Sequence, residues 1–160
     1  MFRRLTLVAL TAVLLVLPAF PAGAAEEGVE APVIAPGFLL AVEVVESNSD
    51  FTNRIYLQRP AYSRFLATDN NWGATRPFVA APGSEITFRI DVYDGAVFTG
   101  NSFVTGSENA RVTEPTPGCI LIEFEDKPST EWGSDGEPNY VDARFFVRKL
   151  LAPKCGPSSL

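Results

Sequence analysis

The residues best placed to do chemistry are carboxylates. Glu123, Glu125, Asp126, Glu131, Asp135, Glu137 and Asp142 crowd residues 123–142, with Lys127 as the one basic residue among them. Gly133 and Gly136 lie in the same stretch and allow tight backbone turns. Carboxylates on a glycine-containing loop can fold around a hard cation, and oxygen ligands in flexible number suit calcium. Glu125, Asp126, Asp135 and Asp142 are the expected oxygen donors. Their spacing is not that of an EF-hand loop. The competing reading is a solvated acidic hairpin loop.

What the chain lacks narrows the chemistry further. It has no histidine, and its one methionine is Met1. A Ser-His-Asp or Cys-His centre cannot be built. Zinc, copper and haem sites lose their commonest ligand. Paired carboxylates could serve a glycosidase, which needs them roughly 5–9 Å apart across a cleft. A small domain with no cleft-building insertion argues against an enzyme, and no catalytic residue is assigned.

Two tryptophans sit in polar, glycine-containing settings, Asn70-Asn71-Trp72-Gly73 and Thr130-Glu131-Trp132-Gly133. Exposed on loops, Trp72 and Trp132 would be anchors for a glycan or an extracellular protein partner. The alternative is that each ring folds back to cap the end of the domain. Asp91 and Asp94 flank Tyr93 and either join a cation site or open a turn at Asp94-Gly95.

These residues need a compartment and a scaffold. Residues 1–24 read as a signal peptide: Arg3 and Arg4, an apolar run over 5–17, then Pro18, Pro21 and the small residues Ala22-Gly23-Ala24. The run is shorter than the roughly 20 residues of a membrane span. The expected product is secreted, extracellular or periplasmic, with no membrane span after cleavage. Removing Arg3 and Arg4 leaves eleven basic residues against nineteen acidic ones, a formal charge of −8. Such a field repels phosphate backbones and argues against nucleic acid. In an exported chain, Cys119 and Cys155 read as a disulfide, worth roughly 3–4 kcal/mol by the chain-entropy model.

The mature chain is about 135 residues, the size of one domain. Residues 25–36 read as a flexible leader, 37–156 as the domain and 157–160 as a polar tail. Residues 85–93 (EITFRIDVY) alternate with period two, putting Ile86, Phe88, Ile90 and Val92 on one face. Residues 38–46, 118–126 and 140–150 are further strands. Residues 53–58, 63–68, 76–80, 101–105 and 110–114 are weaker ones, and Phe98-Thr99-Gly100-Asn101 reads as a turn. With turn residues between them and no capped helical stripe, these strands predict an all-β antiparallel sandwich or jelly roll. The last two strands would form a hairpin clamped at its base by Cys119–Cys155, with the acidic loop at its tip.

The closing segment resembles a family of bacterial secreted and surface domains of unknown function. Phe124-Glu125-Asp126, then Tyr140 and Asp142, then Phe145-Phe146-Val147 match its pattern of Phe-Glu-Asp, loop, Asp-Tyr-Asn-Asp and final apolar strand. Residues 84–93, Phe98-Thr99-Gly100 and Asn109-Ala110-Arg111-Val112-Thr113 resemble its earlier elements, so the likeness spans about half of the mature chain. Asn139 and Val141 depart from the pattern. The resemblance implies a non-enzymatic β-sandwich of surface or matrix proteins.

Overall fold

The structure is a computed structural model that describes residues 32–131 and 139–155. The expected signal peptide, most of the expected leader, Trp132, Asp135, Glu137 and the expected polar tail lie outside the described residues.

Among the described residues, ten strands form two antiparallel five-stranded sheets. They are β1 (Val33–Ile34), β2 (Leu39–Val44), β3 (Thr52–Arg59), β4 (Arg64–Thr68), β5 (Thr75–Val79), β6 (Glu85–Asp94), β7 (Val97–Val104), β8 (Ala110–Thr116), β9 (Cys119–Phe124) and β10 (Ala143–Lys149). One sheet has the order β1-β6-β3-β4, with β7 also paired to β6; the other runs β5-β2-β10-β9-β8. The sheets are not closed into a barrel. The chain therefore changes sheet between β1 and β2, between β2 and β3, between β4 and β5, between β5 and β6, and between β7 and β8.

Period-two patterning explains which faces meet. Ile86, Phe88, Ile90 and Val92 of β6 and Ile55 and Leu57 of β3 are buried, opposite Leu40, Val42, Ile122, Phe124, Phe145 and Val147 of the other sheet. The contact between layers is direct. The Phe88 ring lies 5.9 Å from Phe78 of β5 and 5.1 Å from Phe145 of β10, both edge-on. Such pairs add to the burial of their area.

The expected closing hairpin is present. β9 pairs with β10 from Ala143↔Phe124 to Arg148↔Cys119. Cys119 and Cys155 are joined with their Cα atoms 5.6 Å apart, at the hairpin's base. Two local expectations differ from the structure. Val33–Ile34, inside the segment read as a leader, form β1 because Val33 fills the core beside Ile86. Phe98-Thr99-Gly100-Asn101 lie inside β7, where Gly100 takes φ +97° and lets the strand continue past an irregular register. The turn is at Gly95, φ +58°.

Candidate cation site

Five segments converge at one end of the sandwich. β9 ends at Phe124, delivering Glu125 and Asp126; β10 opens at Ala143, directly after Asp142. From the other layer come Asn53, second residue of β3, and Asp69, just past β4, with Ser49 on the crossing that leads to β3. Glu125, Asp126 and Asp142 are all buried, and one carboxylate oxygen of each lies within 4.8 Å of the others. Donors at calcium's 2.3–2.6 Å from a common ion are at most about 5 Å apart, so this spacing fits one ion.

The hydrogen bonds stitch the layers together. Asn53 Nδ2 faces Asp69 Oδ2 at 3.0 Å, Asp126 Oδ2 at 3.1 Å, the Asp142 carbonyl at 3.3 Å and Ser49 Oγ at 3.3 Å. Ser49 Oγ donates to Asp126 Oδ2. An amide nitrogen carries two protons, so four oxygens around it exceed what it can satisfy. Asp142 Oδ2 accepts from the Asp126 backbone N–H at 3.1 Å, and Glu125 Oε2 from that of Asn139 at 3.1 Å. Asn109 on the neighbouring turn holds the Glu125 carbonyl at 3.2 Å. Tyr140, at φ +54°, swings the chain between Asn139 and Asp142.

Charge is concentrated here with oxygens to spare. Asn53 is fully buried and Asp69 is 3 % exposed, yet Asn53 Oδ1 and Asp69 Oδ1 have no hydrogen-bond donor among the described residues. Buried polar atoms left so are rare and costly. Burial, then the Asp126 charge, then the Glu125 hydrogen bond push Asp142 up to about 8. Burial also raises Asp69, with Asp126 adding to it. Other buried acids in the molecule differ. Glu123 is held by Arg111 at 2.7 Å and Arg144 at 2.9 Å, and Glu43 by Arg148 at 3.0 Å.

Of the expected donors, the structure brings together Glu125, Asp126 and Asp142; Asp135 lies outside the described residues. Asp91 is elsewhere, on the outer face of β6 against Arg89 at 2.8 Å. Sequence reasoning missed Ser49, Asn53 and Asp69. Asn53 carried a signal, because it falls in phase with the buried Ile55 and Leu57 on an apolar face.

Trp72 is 58 % exposed on the β4–β5 crossing, so its ring does not cap the core. Trp132 lies outside the described residues. Among the described residues, no helix is long and apolar enough to cross a membrane. No family model, no curated protein and no solved structure matches the chain.

Proposed function

We propose that this protein is an exported, non-enzymatic β-sandwich that binds a hard divalent cation, calcium in the first place, at the end of its last hairpin. Glu125, Asp126 and Asp142 are the charged donors, and Asn53 and Asp69 are the neighbouring oxygen-bearing side chains from the facing layer. The observation that carries the reading is the pair of unsatisfied buried oxygens, Asn53 Oδ1 and Asp69 Oδ1, beside three buried carboxyls within 4.8 Å of one another. Like charges roughly 4 Å apart repel by about 4 kcal/mol at an effective dielectric of ~20, so such a group must hold protons or an ion. Calcium takes six to eight oxygens in flexible geometry, whereas magnesium insists on an octahedron and keeps its waters. That favours calcium for a shell built from two layers.

The spacing is also tighter than the roughly 5–9 Å of a glycosidase pair, and the acids are buried, which supports a cation over a hydrolase. The signal-like residues 1–24 and the Cys119–Cys155 bridge support export. The resemblance to bacterial secreted domains belongs to the same reading, as a surface or matrix module.

Calorimetric titration of the mature protein, together with melting curves, tests the site. Millimolar calcium should release or absorb heat and raise the melting temperature by roughly 10 °C at a hundredfold excess over Kd, with a smaller effect from magnesium. No heat and no shift with calcium would remove the reading.

A further inference from the structure

The segments that build the cluster also build the surroundings of Trp72. The β2–β3 crossing supplies Ser49 to the cluster and, just before it, Glu46 and Asn48 to a hollow of about 390 Å³ beside the indole. The β4–β5 crossing supplies Asp69 and then Asn70, Asn71 and Trp72 itself, which with Arg76 line a second, almost flat depression. The third segment supplies Asp142 and then Arg144, on the wall of the first hollow. An exposed indole thus has a shallow, open depression on each side, lined by chain that also reaches the carboxylate cluster. The walls are tied at their bases: Gly73 N–H donates to the Val44 carbonyl at 2.8 Å, and Asn48 N–H to that of Val141 at 2.8 Å.

We propose that Trp72 and these depressions form a second binding site, for a neutral oligosaccharide, and that the cation cluster holds its walls in place. The second half of the statement rests on the cation reading; the first does not. A sugar ring presents a flat face of C–H groups that stacks on an indole, while its rim of hydroxyls needs groups that both donate and accept. The side-chain amides of Asn48, Asn70 and Asn71 do both. Charge selects within glycans. Glu46 lines one side with Arg144, which Glu123 also holds, and Arg76 is the one charged residue lining the other. The molecule as a whole carries a net negative charge, which disfavours polyanions.

Native gel electrophoresis through soluble β-glucan, xylan, mannan or galactan tests both halves, with polygalacturonate as the acidic comparison. At least one neutral polymer should retard the mature protein in calcium. Trp72→Ala should weaken that retardation by roughly tenfold or more, and Trp72→Phe should keep part of it. A chelator should reduce it as well. Melting shifts with calcium are recorded on the same samples. A full calcium shift without retardation by any neutral polymer overturns the glycan site and leaves the cation reading standing. Retardation that persists in Trp72→Ala, or that needs polygalacturonate, also overturns it. Retardation that depends on Trp72 but ignores the chelator overturns the coupling alone. An absent calcium shift removes the cation reading without touching the Trp72 site.

Discussion

Asp142 has the most opposed interests in the molecule. Its carboxyl sits in a buried, like-charged setting that favours the neutral form, yet the proposed shell needs it ionised. Asp142→Asn separates the two. The amide keeps an oxygen for the Asp126 N–H and removes the charge. In chelator the variant should melt at or above the wild-type temperature, because a repulsive charge is gone. In calcium it should lose most of the shift, because one charged donor is gone. A variant that melts well below wild type in chelator would show that Asp142 is structural rather than a donor held for an ion. Asn53 is the residue that sequence reading passed over. Its inward phase beside Ile55 and Leu57 was visible, but its partners Asp69, Asp126 and Asp142 lie far along the chain, and no local rule pairs them.

At the scale of elements, most of the plan was legible because the signal is local. The alternation of Ile86, Phe88, Ile90 and Val92 needs no knowledge of what lies opposite, and all of them are buried. The closing hairpin followed from alternation plus the two cysteines. What was not legible depended on distant contact. Val33–Ile34 are too short to show a period and are a strand only because β6 receives them. Gly100 looks like a turn signal and is absorbed into β7. The hairpin yields two predictions. Phe145 is fully buried and touches Phe88 and Phe124, so Phe145→Ala should cost about 3–5 kcal/mol in urea unfolding. A cost under about 1 kcal/mol would mean that the layers do not meet there. Replacing Cys119 and Cys155 together by Ser should cost about 2–4 kcal/mol. An unchanged midpoint would show that the bridge does not restrain the unfolded chain.

For the molecule as a whole, the cluster sets a pH dependence whose direction is fixed. The carboxyls of Asp142 and Asp69 titrate higher in the fold than in the open chain, with Glu125, Asp126 and Asn53 facing Asp142. The fold therefore keeps a proton that the open chain releases at about pH 4. The associated stability is full below that pH, and it is lost as pH rises toward about 8. In chelator, the melting temperature of the wild type relative to Asp142→Asn should fall between pH 5 and pH 8. Saturating calcium should turn the trend round, since protons compete with the ion at low pH. Differential scanning calorimetry over that range reads both slopes, and a relative rise in chelator would contradict the assignment.

Asn53 and Asp69 ride on one layer; Glu125, Asp126 and Asp142 ride on the other. One layer carries the three clustered carboxyls, and the other carries the two buried oxygens that lack donors. If the cluster holds the proposed ion, its full set of oxygens comes together only where the two layers meet. On that reading, uptake of the ion would report that the two layers have met. A chain cut short before residue 139 would keep Asn53, Asp69, Glu125 and Asp126 but lose Asp142 and the β10 strand that follows it.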